Sequence, residues 1–138
     1  MASSTTIDDT LRRVLSTLKT VAVVGLSTDP SRDSYRVAEY LKKNGYKIIP
    51  VNPRAEEILG EKSYPNLKSV DEPIGVVDVF RRPEHVPAIA EEAVAVGAKV
   101  LWLQLGIESE EAAKTAHDGG LIVVQDACIM QEHKRLMT

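Results

Sequence analysis

The chain has 138 residues, of which 43% are hydrophobic and 27% charged, and it carries a formal net charge of −3. No apolar run approaches the ~20 residues that a membrane span requires. The negative net charge argues against a general attraction to nucleic acid, and the single cysteine, Cys128, excludes an internal disulfide framework. Because the start of the chain lacks the basic and apolar regions of a secretory signal, we predict a cytoplasmic protein with a single domain over residues 1–138, of which residues 1–6 are flexible.

The first half of the chain predicts two helices, each followed by a strand. Apolar residues at helical spacing predict a helix over residues 7–18, and the β-branched run at residues 21–24 predicts a buried strand. The second helix is expected over residues 34–44 and the second strand over residues 47–51. Residues 55–69 show no clear period, and we expect them to wrap around an edge of the sheet.

The second half alternates strands with helices of about a dozen residues, a pattern that indicates parallel strands joined by right-handed crossovers. The predicted strands are residues 76–80, 100–103 and 121–124, and the predicted helices are residues 83–96, 109–117 and 128–136.

These elements predict an α/β protein with one doubly wound, mainly parallel, five-stranded sheet covered by helices on both faces. Two strand orders remain open, the dinucleotide-like order 3-2-1-4-5 and the flavodoxin-like order 2-1-3-4-5. We favour 3-2-1-4-5, because the irregular segment can make the crossover from the second strand to the third. In either order, ligands bind beyond the carboxyl ends of the strands.

A polar loop separates the first predicted strand from the next helix, in the stretch VAVVGLSTDPSRDSYRVAEYLKKNGYKIIPVNP at residues 21–53. The start of that helix offers unpaired N–H groups and a positive dipole end, which favour phosphate. Gly25 permits the backbone to approach a ligand closely. Hydroxyl groups come from Ser27 and Ser34, and Arg32 supplies a guanidinium. The pattern predicts an anion site; the alternative is a tight strand-to-helix turn with a capping serine.

The same stretch departs from the G-x-G-x-x-G fingerprint of NAD-binding proteins. Ser27 and Pro30 occupy the positions of the later glycines, which give the pyrophosphate room to approach and let the helix pack tightly. Asn52 stands where an NAD site places an acid against the ribose hydroxyls, and Pro53 and Arg54 follow it. NAD is therefore disfavoured, whereas a ligand with a phosphorylated ribose is not.

Two later loops have compositions suited to other parts of such a ligand. Residues 80–83, Phe-Arg-Arg-Pro, offer a ring or a guanidinium plane on which adenine can stack, and charge for phosphate. The alternative is a core phenylalanine followed by two solvated arginines. Residues 104–106, Gln-Leu-Gly, form a turn that suits a thin, extended ligand arm, although an ordinary turn explains them equally well.

Candidate catalytic groups are sparse. His85, His117 and His133 are widely spaced, and no metal-ligand spacing is present. Cys128 and Glu132 share a helical face in the segment CIMQEH, and a thiol at a helix start can be reactive. Since nothing in the sequence places His133 beside the sulfur, we predict no catalytic residue and no metal.

Four segments together resemble the small stand-alone CoA-binding proteins, which are related to the CoA-binding domains of succinyl-CoA synthetase alpha subunits and of ADP-forming acyl-CoA synthetases. The segments are residues 21–53 as quoted above, DVFRRPEHVP, GAKVLWLQLGI and DACIMQEH, in that order. The resemblance extends from about Leu11 to Leu136. It implies a Rossmann-like sheet that binds coenzyme A or an acyl-CoA.

The resemblance also implies which residues border the ligand. It assigns Gly25, Ser27, Arg32 and Ser34 to the phosphate-bearing part, Val51, Asn52, Pro53 and Arg54 to the nucleotide end, Phe80, Arg81, Arg82 and Pro83 to the adenine and its phosphates, and Gln104, Leu105 and Gly106 to the pantetheine. The chain departs from the family at Ala127, where relatives typically have arginine before the cysteine. That difference bears on the final motif more than on CoA binding.

Three functions remain in competition at this stage. The first is a binding or regulatory module for CoA without its own chemistry, and the second is an enzyme that acts on a CoA thioester or disulfide through Cys128. The third is a fragment of an NAD(P)-dependent oxidoreductase. We favour the first. A ligase activity would need a partner enzyme chain, and a homodimer is possible, with Trp102 and the first helix as candidate contacts.

Overall fold

The computed structural model describes residues 6–137 of the chain. Its first half contains helix α1 (Ile7–Thr17), strand β1 (Thr20–Val24), helix α2 (Asp33–Lys43) and strand β2 (Lys47–Val51). The Thr6 side chain accepts a hydrogen bond from the Asp9 N–H and so caps α1. The prediction of a flexible start concerned residues 1–6. Residues 1–5 lie outside the described residues, and Thr6 belongs to the helix cap.

A small hairpin, β3 (Glu57–Ile58) and β4 (Glu61–Lys62), and a 3₁₀ turn at Leu67–Ser69 follow β2. The rest of the chain alternates strands and helices, as predicted. It comprises β5 (Val76–Val79), a 3₁₀ turn (Pro83–His85), α3 (Val86–Ala95), β6 (Val100–Leu103), α4 (Glu110–Asp118), β7 (Ile122–Val124) and α5 (Ile129–Met137).

The five long strands form a parallel sheet in the order β2-β1-β5-β6-β7. The predicted α/β class with a five-stranded Rossmann-like sheet is therefore confirmed. The preferred strand order was wrong: counted along the chain, these strands lie in the order 2-1-3-4-5, not 3-2-1-4-5. The third long strand, β5, lies beside β1 rather than beside β2.

The segment between β2 and β5 explains this order. Tyr64 forms a one-residue parallel bridge with Val51; its N–H donates to the Pro50 carbonyl, and its own carbonyl accepts from the Asn52 N–H. The outer edge of β2 is thus occupied, so a long strand has no place there. The chain then returns to β1, where the Gly75 N–H donates to the Thr20 carbonyl and sets the register of β5.

Both faces of the sheet are covered. One apolar cluster lies under α1, α2 and α5, and the other lies under α3 and α4. The central strands are buried on both sides, as expected for parallel strands between helix layers. Trp102 on β6 is fully buried and its indole N–H donates to the Ala127 carbonyl at 2.8 Å. The suggestion that Trp102 contributes to a dimer surface was wrong, because its whole side chain is used in the core.

Candidate functional site

Between β1 and β5 the order in which the chain adds strands to the sheet reverses. At this point the loops that follow β1, β5 and β6 meet the start of α5. A cavity of about 620 Å³ opens there, which we term the main cleft. It is lined by Asp33, Arg36 and Val37 of α2, Phe80, Arg81, Arg82 and Pro83 after β5, Gln104, Leu105 and Ile107 after β6, and Cys128, Met130 and Gln131 around the start of α5.

A second cavity of about 250 Å³ adjoins the main cleft, with which it shares Asp33 and Phe80. We term it the adjoining cavity. It lies at the start of α2 and is lined by Gly25, Ser27, Arg32, Asp33, Ser34 and Phe80. The structure therefore brings the residues predicted after the first strand next to those predicted after the third long strand.

Gly25 makes the junction between these two loops possible. Its φ is +88°, a conformation that side-chain-bearing residues rarely adopt. A Cβ atom added there would lie 2.5 Å from the Phe80 carbonyl oxygen and 2.9 Å from Cδ of Arg81. The absence of a side chain at Gly25 thus lets the loop after β5 lie directly against the loop after β1.

The loop that leads into α2 is held by its own polar groups. The Ser34 hydroxyl accepts a hydrogen bond from the Ser27 N–H at 3.0 Å, and the Ser27 hydroxyl accepts from the Asp29 N–H at 2.9 Å. Hydrogen bonds from the backbone and side chain of Ser31 lower the pKa of Asp29. Within residues 6–137, the Arg32 side chain at the cap position makes no capping hydrogen bond, so the first N–H groups of α2 can donate to an anion.

The arginines of the site differ in their surroundings. Arg81 and Arg82 line the main cleft, and within residues 6–137 neither forms an ion pair with a carboxylate. Arg32 lines the adjoining cavity. Arg36, which sequence reasoning did not identify, also lines the main cleft and pairs with Asp33. A signal was available, because residues 32 and 36 lie one helical turn apart.

The site residues predicted at the end of β2 and in the loop after it line neither the main cleft nor the adjoining cavity. The Asn52 amide donates to the Leu26 carbonyl at 2.9 Å, and its oxygen accepts from the Arg54 N–H at 2.8 Å, so it braces the two loops. Val51 and Pro53 line a separate cavity of about 110 Å³ that reaches Arg81 from the other side. Arg54 is exposed and lines none of the cavities described here.

The loop after β6 is held by hydrogen bonds on its inner side and is exposed on its outer side. The Gln104 side chain is 4% exposed, and its Oε1 accepts a hydrogen bond from the Ile129 N–H at 3.1 Å. The Gly106 N–H donates to the Asp126 carboxylate at 2.7 Å, which ties this loop to the loop after β7. Leu105, by contrast, is 63% exposed. An apolar side chain is therefore presented at the mouth of the main cleft.

Cys128, Glu132 and His133 of the segment CIMQEH lie in three different environments. Cys128 is buried and lines the main cleft. Glu132 pairs with Arg135 at 3.0 Å, and Arg135 also binds Asp8 of α1. His133 lies in the core, where its Nδ1 is 2.7 Å from the Tyr40 hydroxyl, and burial lowers the pKa of its imidazole. Neither Glu132 nor His133 lines the main cleft.

A buried acid on β5 lies next to the site. Asp78 is fully buried, and its carboxylate oxygens have no hydrogen-bond partner among residues 6–137. Burial raises the pKa of the Asp78 carboxyl well above its usual range. Asp78 lies in register with Val23 and Trp102, and it stands two positions before Phe80. Its side chain therefore lies on the same face of the sheet as the side chains of these three residues. Sequence reasoning missed it, although an aspartate inside the apolar run VVDVF was a visible signal.

Across residues 6–137, no helix is long and apolar enough to cross a bilayer. In the same part of the chain, no three histidine, cysteine or acidic side chains are grouped so that they can hold a metal ion.

Known proteins are similar to this chain in sequence and in fold. The sequence model of the family described as "CoA binding domain" matches residues 19–134. The YneT protein of Bacillus subtilis (strain 168) is 43% identical over 123 residues, which cover 89% of this chain and 91% of YneT. A solved structure of a protein from Pyrococcus horikoshii OT3 superposes with a TM-score of 0.93 at 40% identity, over 100% of both chains.

A larger enzyme contains a related segment. The ADP-forming acetate–CoA ligase II of Archaeoglobus fulgidus is 32% identical over 100 residues. The match covers 71% of this chain but 15% of the ligase. The similarity to the ligase is thus confined to a small part of that enzyme.

Proposed function

Because this chain belongs to the CoA binding domain family, we propose that it binds coenzyme A or an acyl-CoA in the main cleft and the adjoining cavity. The family confirms the resemblance that the four sequence segments indicated. The observation that carries the proposal is the pair Arg81 and Arg82, which line the main cleft without carboxylate partners in the described chain.

Coenzyme A carries a diphosphate and a 3′-phosphate, and these anions need cationic partners. Guanidinium groups form strong, often bidentate, hydrogen bonds to phosphate oxygens. Arg81 and Arg82 are available in the main cleft, and Arg32 is available in the adjoining cavity. We assign these three arginines to the phosphates of the ligand.

The adjoining cavity suits a phosphate for two further reasons. The Arg32 side chain makes no capping hydrogen bond at the start of α2, so the first N–H groups of that helix can donate to an anion. The Ser34 hydroxyl accepts from the Ser27 N–H and retains its own proton for donation to a ligand. The residues present therefore fit an anionic nucleotide.

The remaining length of the main cleft suits the pantetheine arm. Its volume of about 620 Å³ falls within the range of small-molecule sites, roughly 300–1,000 Å³. Leu105 offers an exposed apolar contact at the mouth, and Pro83 and Ile107 extend the apolar lining. A buried ligand arm with amide groups would meet the amide of Gln104.

We propose binding rather than acid–base catalysis at this site. Apart from the arginines, the titratable side chains that line the main cleft are Asp33 and Cys128. Asp33 is engaged in an ion pair with Arg36, and the neighbouring Glu132 and His133 are directed elsewhere. A carrier, sensor or regulatory subunit is the role that this lining supports.

Isothermal titration calorimetry with CoA and with CoA that lacks its 3′-phosphate tests the proposal. We expect saturable binding of CoA and binding of dephospho-CoA that is weaker by about tenfold or more, because a charged hydrogen-bonded contact is lost. Titration with NADPH serves as the comparison for the dinucleotide alternative. Flat titrations with both CoA forms at millimolar concentration contradict the proposal, and tighter binding of NADPH than of CoA overturns it.

A further inference from the structure

The inner side of the main cleft brings the buried amide of Gln104 together with a thiol, Cys128, that the proposed function leaves unused. Gln104 immediately follows β6, and Cys128 immediately precedes α5. The hydrogen bond from the Ile129 N–H to Gln104 Oε1 joins them, because Ile129 is the residue after Cys128. Both side chains line the main cleft.

The second polar atom of the Gln104 amide, its nitrogen, is the evidence that a ligand binds here. Since the amide oxygen accepts from Ile129, the nitrogen Nε2 is the end that remains, and it has no hydrogen-bond partner among residues 6–137. Gln104 is 4% exposed. In the described part of the chain, the fully enclosed side-chain polar atoms without a partner are the two oxygens of Asp78, and Nε2 of Gln104 is not among them. The donor therefore opens into the main cleft, where an acceptor such as an amide carbonyl would satisfy it.

The thiol of Cys128 is presented to the same space. Its side chain is 8% exposed and lines the main cleft with Phe80 and Met130. Cys128 immediately precedes the nine-residue helix α5, so the positive dipole end of that helix lies close to Cys128. A sulfur atom that entered the main cleft would meet the Cys128 sulfur among apolar neighbours.

We propose that Cys128 captures CoA as a mixed disulfide by exchange with a disulfide of CoA, an inference that rests on the proposed function. The Cys128 thiol first loses its proton to solvent. Its thiolate then attacks the CoA sulfur of CoA–S–S–R, so that the Cys128–S–S–CoA bond forms and the S–R bond breaks. The leaving group R–S⁻ takes up a proton from solvent, and no net oxidation or reduction occurs.

Disulfide exchange fits this lining better than thioester hydrolysis. Exchange needs a thiolate and a correctly placed disulfide, whereas hydrolysis of a thioester also needs a base to activate water. No described carboxylate or imidazole in the lining is free for that role, because Asp33 is paired with Arg36. In the proposed complex, Nε2 of Gln104 donates to the pantetheine carbonyl nearest the sulfur and so positions the reacting atoms.

Intact-protein mass spectrometry tests the capture. The reduced full-length protein is incubated with CoA disulfide or with 2-hydroxyethyl disulfide, a small neutral compound that reports the intrinsic access of the thiol. We expect one CoA adduct per chain, reversed by dithiothreitol, and formed about tenfold or more faster than the neutral adduct because the arginines attract the anionic reagent. Cys128→Ser forms no adduct.

A matched variant separates positioning by Gln104 from simple access. Gln104→Glu retains an oxygen that can accept from Ile129 but removes the amide donor. We expect the ratio of the two rates, CoA disulfide over 2-hydroxyethyl disulfide, to fall severalfold in this variant. Gln131→Glu adds the same charge to the lining of the main cleft but keeps the Gln104 donor, and an equal fall in that variant would mean that the charge, and not the lost donor, causes the effect. Equal rates for both reagents in the wild-type protein mean that Cys128 is merely accessible, and they overturn the inference.

Calorimetry with reduced CoA on Cys128→Ser distinguishes this inference from the proposed function. Saturable binding by the variant, together with no adduct on the wild-type protein, overturns the capture and leaves the binding function intact. Absence of binding and of any adduct overturns both. Binding by the variant and a fast, reversible adduct on the wild-type protein support both.

Discussion

Gly25 lies directly against the main chain of Phe80, so that a Cβ atom added to Gly25 would be 2.5 Å from the Phe80 carbonyl oxygen. The contact joins the loop after β1 to the loop that carries Arg81 and Arg82. It also positions the boundary between the main cleft and the adjoining cavity, because Phe80 lines both.

Gly25→Ala is expected to damage the site and the fold together. The new methyl group would have to displace a backbone carbonyl, and a φ of +88° is itself unfavourable for alanine. We expect a loss of about 2–4 kcal/mol in the free energy of unfolding, together with weakened CoA binding, measured by urea denaturation and calorimetry.

Gly45→Ala is the matched control for this prediction. Gly45 has a similar φ of +92°, but an added Cβ would meet nothing within 4 Å. We expect this variant to lose only the conformational contribution, about 1–2 kcal/mol, and to bind CoA normally. Equal effects of the two substitutions on CoA binding contradict a special role for the Gly25–Phe80 contact.

Removal of the cleft arginines is expected to weaken CoA binding with little effect on folding. Arg82→Ala removes an exposed cation that has no carboxylate partner among residues 6–137, and we expect the dissociation constant to rise about tenfold or more. Arg13→Ala, on the exposed face of α1, removes the same charge away from the cleft and is expected to bind as the wild type does. Calorimetry at two salt concentrations measures both.

Arg54→Ala decides how far the ligand reaches toward β2. The resemblance assigned Arg54 to the nucleotide end, whereas its side chain lines none of the cavities described here. We expect less than about a threefold change in the dissociation constant for CoA. A tenfold loss would show that the nucleotide extends over the loop after β2.

The buried carboxyl of Asp78 is expected to make the fold less stable as the pH rises. Burial raises the pKa of Asp78 in the folded state above the value of about 3.9 of the unfolded chain. The folded state therefore binds the proton more tightly, and its stabilising effect is lost as the pH rises from about 4 through the folded-state pKa. We expect Asp78→Asn to gain about 1–3 kcal/mol near pH 8.

The measurement for Asp78 is urea denaturation from about pH 4 to about pH 8. Asp71→Asn, which alters an exposed aspartate, provides the comparison. A wild-type pH dependence that persists unchanged in Asp78→Asn would mean that Asp78 has a partner in solution that keeps its carboxylate satisfied.

His133 has the opposite effect on pH dependence. Burial, with a smaller contribution from Lys19, lowers the pKa of His133 in the folded state below its usual value of about 6.5. Below that value the unfolded chain gains a proton that the folded chain resists, so stability falls as the pH drops from about 6.5 to the folded-state pKa.

A pair of histidine variants isolates this contribution. We expect His133→Gln to show a smaller loss of stability than the wild type between about pH 7.5 and about pH 5. His117 is exposed at the end of α4, and His117→Gln is expected to keep the wild-type difference. If both variants behave alike in urea denaturation, His133 is not the origin of the pH dependence.

Local chemistry made most of the fold predictable. The predicted strands at residues 47–51 and 100–103 match β2 and β6 residue for residue, because apolar runs between helices leave few alternatives. The strand order depended on Tyr64, whose bridge to Val51 closes the edge of β2. A contact between distant backbone groups leaves no periodic signal in the sequence, so the order was not predictable.

The residues around the main cleft and the adjoining cavity were predictable to the extent that they follow strand ends. The rule that ligands bind beyond the carboxyl ends of strands selected Gly25, residues 80–83 and Gln104, which the structure brings together. It also selected Asn52, whose side chain braces loops instead of facing a cavity. Only three-dimensional packing decides whether a polar group at a strand end points to a ligand or to its own backbone.

The amide of Gln104 is held at its oxygen by the first N–H of α5, while its nitrogen opens into the main cleft. A ligand that accepts a hydrogen bond from the nitrogen also restricts the motion of the oxygen, because both atoms belong to one rigid amide plane. Filling the cleft would thereby slow deuterium uptake at the Ile129 amide, a site that no ligand needs to touch. The start of α5 would thus exchange more slowly when the main cleft is occupied, and the effect would be transmitted by the side chain of Gln104.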